Sequence, residues 1–417
     1  MKTIIIIGDG MSDRPVARLG GKTPLMVARK PQIDRIAREG RQGRLRTIGE
    51  TGPADSAVAN LAVLGYDASV SKEGRAVLEA ASMGVDIESG DVALRCNLVC
   101  LEGPAAEQRI RNHSAGHIAT AEAAELIAAL EAELGGGRGP EPVRFHAGVS
   151  YRHLLVLTGG WASSAVECAP PHDHVGGRAA DLLPRPLPDA PAAEKDAAQR
   201  TAARLVALHA QAAGILAGHP INLARRSAGR DEANSIWTWS PGRRPTMPTL
   251  RERFGVRGAV ISAVDLVMGL GVYAGLDLIR VPGATGLHDT NYEGKAQACL
   301  DALVDHDFVY VHVEATDEAA HARDLDLKIR CIEFLDERLV RPILAGLEAN
   351  SIAAAVAVLP DHPTPVETGQ HGRDPVPVAI RRPGDAPDAT TSYDEVQAVQ
   401  GALGLMVGDE FIRRVLA

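Results

Sequence analysis

The chain has 417 residues, 45% of them hydrophobic and 23% charged, with a formal net charge of −9. That length exceeds what one hydrophobic core fills, so two domains are expected, and the composition excludes a largely disordered chain. The acidic balance argues against nucleic acid or an anionic membrane as main partner, while leaving room for a small anion drawn into a cleft by local arginines or cations.

In chain order, residues 4–7 form an apolar run that enters Gly8-Asp9-Gly10. The run is shorter than a signal-peptide core and predicts a first β-strand, and no later run reaches the roughly 18 apolar residues of a membrane span. Residues 31–40 carry helical spacing through Ile33, Ile36 and Ala37, and residues 51–64 read as a loop running into a small-residue helix. Strands are predicted over 92–99 and 154–157, and an alanine-rich helix over 120–134 that stops at Gly135-Gly136-Gly137. The Pro/Ala/Asp stretch 182–191 has the composition of a linker. Beyond it the spacing predicts a helix over 198–213, strands over 259–262 and 276–281, and a helix over 295–303. A strand over 308–313, a long helix over 327–347 and a strand over 354–359 follow.

Strands alternating with helices imply an α/β fold, a mostly parallel sheet with helices on both faces. If residues after the first strand meet residues after the late strands, the middle block is an insertion into that fold. The organisation this implies is 1–71 as the first part of the core, 72–180 as an inserted α+β domain, 181–196 as linker and 197–417 as the rest of the core. The five cysteines (Cys96, Cys100, Cys168, Cys299 and Cys331) are scattered without Cys-x-x-Cys spacing. They read as reduced thiols of a cytoplasmic protein.

The residues that point to chemistry lie late in the chain: Asp317, His321, Asp361, His362 and His371, the first and second pairs each following an apolar strand candidate. The C-terminal ends of buried strands are where open α/β sheets keep their sites. Carboxylate with imidazole suits Zn²⁺ or Mn²⁺ better than Ca²⁺, and the number of ligands exceeds one tetrahedral site, so two metals are expected. Asp317 and His321, four apart, share a face if they lie on a helical turn. Asp9 leaves the first strand between two glycines, as a metal ligand or as a cap or turn carboxylate. Ser56 stands at the mouth of a small-residue helix, as a nucleophile that carries phosphate beside backbone N–H groups or as an ordinary N-cap serine. Arg95 sits inside the apolar run Leu94-Arg95-Cys96-Asn97-Leu98, where an unpaired charge is costly.

The order Asp9, Ser56, Asp317-x-x-x-His321, Asp361-His362, His371 resembles the ligand order of the alkaline phosphatase superfamily. Longer segments resemble cofactor-independent (2,3-bisphosphoglycerate-independent) phosphoglycerate mutases of archaeal type, in their bacterial branch. Among them are Gly8-Asp9-Gly10-Met11, Val58-Ala59-Asn60-Leu61, Arg95-Cys96-Asn97-Leu98-Val99, Ser114-Ala115-Gly116-His117-Ile118, Ser150-Tyr151-Arg152-His153, His312-Val313-Glu314-Ala315 and Asp361-His362-Pro363-Thr364-Pro365. The resemblance implies an alkaline-phosphatase-like core interrupted by a substrate-gripping domain. It implies one cation held by Asp317, His321 and His371 and another by Asp9, Asp361 and His362, with Ser56 as ligand and nucleophile. The cations would be Mn²⁺, with Zn²⁺, Co²⁺ or Mg²⁺ as alternatives. Arg95, Asn97, His117, Arg152 and His153 from the inserted block, with Arg225 and Lys295 from the main domain, would grip a phosphorylated three-carbon acid.

The implied reaction is phosphoryl transfer through a phosphoserine, interconverting 2- and 3-phosphoglycerate. Three departures from the family pattern keep alternatives open: Ala57 after the serine, Asn112-His113 before the Ser-Ala-Gly-His segment, and Trp239-Ser240-Pro241-Gly242. The alternatives are a phosphomonoesterase, an enzyme processing a phosphonate or other phospho-analogue, or a non-catalytic relative.

Overall fold

The structure, a computed structural model, describes residues 1–67 and 74–417. The expected junction at 71/72 lies outside the described residues. The chain divides into two compact units, Met1–Ser71 with Thr246–Ala417, and Lys72–Pro245.

The first unit is built on an eight-stranded sheet. Its strands run in the order Asp277–Ile279, Gly258–Ile261, Phe308–Val313, Lys2–Gly8, Ala354–Leu359, Val376–Arg381, Arg41–Leu45 and Gly404–Met406. Only Val376–Arg381 runs against the rest. Lys2–Gly8 is central because its β-branched isoleucines suit a strand covered on both faces. Ile4, Ile5, Ile6 and Ile7 are all fully buried. Ile4 and Ile6 join one core cluster with Ile33, Ile36, Ile332, Leu335 and Ile343, so Ile5 and Ile7 face the opposite layer.

Register then sets the site. Gly8 pairs with Val313 and Ile7 with Leu359, so Asp9, Glu314 and Asp361 leave neighbouring parallel strands at nearly one level. The α/β class and the mostly parallel sheet expected from the sequence are therefore what the chain adopts. The strands Arg41–Leu45 and Gly404–Met406 carry no long apolar run and Val376–Arg381 is interrupted by Pro377, so all three escaped the periodicity. The helix expected over 327–347 is broken into Leu325–Phe334, a π-helical turn Leu335–Val340, and Arg341–Ala349. Pro342, which has no N–H to donate, stands at the start of the last segment and accounts for the break. Asp336 inside the turn is put to use: Oδ1 accepts from the N–H groups of Gln32 and Ile33, capping the helix Pro31–Arg38.

The second unit has an antiparallel sheet centred on Val92–Glu102, which pairs with Arg109–Asn112, Arg152–Leu157 and Ser235–Gly242. Val143–His146 extends it beyond Arg152–Leu157. Helices Thr120–Leu134 and Lys195–Ala217 supply Leu126, Leu130, Leu205 and Leu208 to the same core as Leu94 and Leu155. This corrects the expected organisation: the core resumes at 246, not 197, and 181–196 is no linker. Arg185–Pro186 pairs with Val166–Glu167, and Ala190 is buried in the unit's core. Proline-rich composition misled here because a rigid, ordered surface strap has the same residues as a linker. No helix among the described residues is long and apolar enough to cross a membrane.

Behind the strand ends of the first unit, one buried ion pair ties two loops. Lys328, fully buried, donates from Nζ to Asp13 Oδ2 at 2.8 Å, Thr364 O at 2.8 Å and Ser12 O at 3.2 Å. Asp13 Oδ2 also accepts from Val366 N at 3.0 Å. Lys328→Met strands a buried carboxylate and is expected to destabilise the chain by about 3–5 kcal/mol, whereas the double change with Asp13→Leu costs less. Denaturant unfolding of both variants checks this; equal loss in both would contradict it.

Candidate active site

Ser56 opens the helix Ser56–Val63, and its cap is not Ser56 but Asp55, whose Oδ1 accepts from Val58 N at 2.9 Å. The competing view of Ser56 as an N-cap serine is thereby removed, and its hydroxyl is free for other work. Ser56 Oγ lies 3.1 Å from His362 Nε2. That nitrogen is also 3.5 Å from Asp9 Oδ1 and 3.5 Å from Asp361 Oδ2. Asp9, Asp361 and His362 are all fully buried and form one group whose ligand atoms converge.

A second group stands beside it. Asp317 and His321 lie on the short helix Ala315–His321, the turn on which a spacing of four puts them on one face, with Oδ2 and Nε2 at 2.9 Å. His371 Nε2 is 3.0 Å from His321 Nε2 and 3.6 Å from Asp317 Oδ2. His321 Nδ1 bonds Gly369 O at 2.8 Å and His371 Nδ1 bonds Ala54 O at 3.0 Å. A carbonyl only accepts, so both Nδ1 atoms carry protons, and each Nε2 points at the other and at the carboxylate with a proton that a cation would displace to reach the lone pair. The His362 and His371 rings stack at 3.9 Å, which sets the two groups side by side.

Such a donor set suits cations on grounds independent of the motif. Asp9 Oδ1 is buried without a hydrogen-bond partner among the described residues. Burial, then the carboxylates of Asp361, Glu314 and Asp317, push the Asp9 carboxyl well above its usual range. Burial likewise raises Glu314, to about 7. Burial opposes ionisation of Asp317 too, yet hydrogen bonds from His321 and His371 hold it well below the usual carboxylate range. Crowded carboxylates with inward imidazole nitrogens are the arrangement a divalent cation relieves.

Residues without an assigned part in the sequence analysis hold these ligands in place. Asn60 Nδ2 donates to Asp361 Oδ2 and to Ser56 O, each at 2.8 Å, and Tyr310 OH donates to Asn60 Oδ1 at 2.5 Å. His312 Nε2 meets Asp9 Oδ2 at 2.9 Å, and its Nδ1 meets Ser262 Oγ at 3.2 Å. The one available signal was a histidine inside the otherwise apolar strand Phe308–Val313. Gly10 has φ +59°, and a Cβ there would lie 2.7 Å from Thr364 Oγ1, so no side chain fits between the two groups.

The expected substrate contacts divide. In the second unit, Arg95, Asn97 and Arg152 line a cavity of about 300 Å³ with His113, Tyr151, His172 and Trp239. Arg95 is paired: Nε is 3.0 Å from Glu79 Oε2, and the guanidinium lies 4.1 Å over the Trp239 ring. Asn97 Oδ1 accepts from Trp239 Nε1 at 3.1 Å. His117 sits at φ 51° in a left-handed run with Ala115 and Gly116, its ring edge-on to Tyr151.

Three expectations are not met. His153 is buried away from the cavity, accepting from Gly148 N, and burial lowers it to about 4. Arg225 belongs to the second unit, not the main one, and is consumed there. It is buried and donates to Glu122 Oε2, Ala115 O and Asp231 O, bracing the left-handed loop. Lys295 is buried in the first unit with Nζ on His312 O at 2.9 Å, and burial lowers it to about 8. Asn112, a departure from the family pattern, bonds Asp231 Oδ2 and accepts from Ser114 N and Oγ.

A mostly parallel sheet with carboxylates, imidazoles and a helix-borne serine at its strand ends, in a chain interrupted by a separate unit, defines a two-unit α/β protein. A family model for 2,3-bisphosphoglycerate-independent phosphoglycerate mutase matches residues 37–222. The protein of that name from Methanosarcina acetivorans is 45% identical over 413 residues, covering 99% of this chain and 98% of its own. A probable enzyme of that name from Geobacter sulfurreducens is 46% identical over 412 residues, at 99% and 98% coverage. The solved cofactor-independent phosphoglycerate mutase of Thermoplasma acidophilum superposes with a TM-score of 0.71 at 28% identity, over 100% of this chain and 99% of that one. A Pyrococcus horikoshii protein gives 0.79 at 29% identity, over 100% and 96%. This chain belongs to the 2,3-bisphosphoglycerate-independent phosphoglycerate mutase family, a family of isomerases.

The Asp317–His321–His371 trio predicts a pH dependence. The hydrogen bond to Asp317 raises His321 from 6.5 to about 9 in the metal-free chain. A histidine raised on folding contributes stability that is complete below its unfolded value and fades as pH rises through the folded one. In the metal-free chain that contribution should be lost between about 6.5 and 9, while cation binding, which competes with the proton, should strengthen over the same window. Imidazole ¹⁵N titration without metal and Mn²⁺ binding across that window measure the two effects; a His321 midpoint near 6.5 would contradict the first.

Proposed function

We propose that this chain is a metal-dependent phosphoglycerate mutase that interconverts 2- and 3-phosphoglycerate through a phosphoserine on Ser56. The observation that carries this function is the placement of Ser56 Oγ 3.1 Å from His362 Nε2, where Asp9 and Asp361 also converge. Asp9, Asp361, His362 and the Ser56 hydroxyl would hold one divalent cation, and Asp317, His321 and His371 the other, with Mn²⁺ the first choice. When bound, such cations neutralise phosphoryl oxygens and favour a deprotonated serine oxygen.

The chain's own part is positioning. The first turn of the helix Ser56–Val63 aims the serine oxygen and would offer a phosphoryl group the N–H groups that Asp55 does not cap. As the bond from Ser56 Oγ to phosphorus forms, the ester bond to glycerate breaks; glycerate that stays bound takes the phosphoryl group back on its other hydroxyl. Retention is what separates a mutase from a phosphatase. Arg95 and Arg152 in the polar, aromatic-walled cavity support it, since guanidinium pairs well with carboxylate and phosphate. Buried free thiols at Cys96, Cys100, Cys299 and Cys331 are consistent with a cytoplasmic enzyme.

The phosphomonoesterase reading rested partly on Asn112, but Asn112 has a supporting role in the loop that carries His117. ³¹P NMR of 3-phosphoglycerate with the protein and Mn²⁺ separates the outcomes. A growing 2-phosphoglycerate signal, absent in Ser56→Ala, is expected. Inorganic phosphate alone would make the chain a hydrolase, and no change with Mn²⁺, Zn²⁺, Co²⁺ or Mg²⁺ would sink both. Arg152→Ala removes a charge-assisted contact of about 1.5–3 kcal/mol and should raise KM roughly 10- to 100-fold with an unchanged melting temperature. An unaltered KM would remove Arg152 from the substrate grip.

A further inference from the structure

We propose that Thr364 is a positioning residue that couples the two cation-holding groups, one hydroxyl fixing the Asp317 carboxylate and the His362 tautomer together. The proposal rests on the metal reading above. Thr364 is fully buried and locked at both ends of its backbone, its N–H donating to Ser12 O at 3.2 Å and its C=O accepting from Lys328 Nζ at 2.8 Å. From that fixed seat Oγ1 donates to Asp317 Oδ1 at 2.5 Å. The other contact of Oγ1 is His362 Nδ1 at 3.1 Å.

A hydroxyl has one proton. An ionised carboxylate can only accept, so the proton goes to Asp317, and towards His362 the hydroxyl must accept. His362 therefore carries its proton on Nδ1. Its Nε2 lone pair is turned towards Ser56 Oγ, Asp9 Oδ1 and Asp361 Oδ2. On the other side, with Asp317 Oδ1 engaged, Oδ2 is the oxygen left facing His321 and His371. One side chain thus sets a ligand in each group, and the bare backbone of Gly10 gives it the room to do so. Hydrogen-bonding partners of this kind orient ligands and raise their basicity.

Thr364→Val keeps the shape and removes the hydroxyl, and Thr364→Ser keeps the hydroxyl. Calorimetric titration of each full chain with Mn²⁺, with EPR of the loaded protein, reads the coupling without relying on turnover. In Thr364→Val, affinity should fall about 10- to 100-fold at both sites, while Thr364→Ser should stay close to the parent. Should Thr364→Val lack a native melt, Thr364→Ala serves with the same expectation. Loss at one site only, parental affinity at both, or equal loss in Thr364→Ser would overturn the coupling while leaving the proposed function standing. A parent chain that binds fewer than two cations would overturn the metal reading and the coupling with it.

Discussion

The architecture of the first unit depends on one unfavourable fact: several carboxylates are buried together. Asp9 and Asp361 have no exposure and Asp317 has 3%, and Glu314 stands beside them. Like charges in low dielectric repel strongly, and burial disfavours each charge in its own right. Such a cluster persists only where the scaffold over-determines it. Here three adjacent parallel strands deliver Asp9, Glu314 and Asp361 at one level, and the sheet cannot slip without moving its whole apolar set. The uniformly buried isoleucines of the first strand therefore serve the site as much as the core.

Around the carboxylates runs a layer of neutral groups, each occupying a particular oxygen. Backbone N–H groups of Gly10 and His362 meet Asp361 Oδ1, and Asn60 meets Oδ2. His312 meets Asp9 Oδ2 and leaves Oδ1 unmet. Tyr310 decides which way the Asn60 amide points, because a phenol that donates selects the carbonyl oxygen. The same amide reaches the Ser56 carbonyl, so the helix that carries Ser56 is tied to the Asp361 carboxylate. A residue at 56 is thus held within reach of His362 by a partner one helical turn away, not by the loop that precedes it.

Much of this was legible in the sequence, for a definable reason. Asp317, His321, Asp361, His362 and His371 follow apolar strands, and strand ends are where side chains leave a sheet into open space. Asp9 and Ser56 were ambiguous from local text and became definite only through contact with residues about 300 positions away, such as His362. The helix 120–134 ends where its glycines say it does. Elements stabilised by partners instead of by their own pattern were invisible: Arg41–Leu45 is a strand because Val376–Arg381 and Gly404–Met406 flank it. Arg225 was misjudged because a buried arginine that braces a loop and one that grips a substrate are the same letter.

That brace shows how the second unit organises its own chemistry. Ala115, Gly116 and His117 all hold positive φ, a conformation costing about 1–3 kcal/mol for each non-glycine residue. The backbone keeps it because Arg225 Nη2 binds Ala115 O while Asn112 and Asp231 clasp the loop's entry. The side chain this loop presents is His117, edge-on to Tyr151 at the cavity wall. Asn112 is part of this clasp: its amide donates to Asp231 Oδ2, and its carbonyl oxygen accepts from Ser114 N and Oγ.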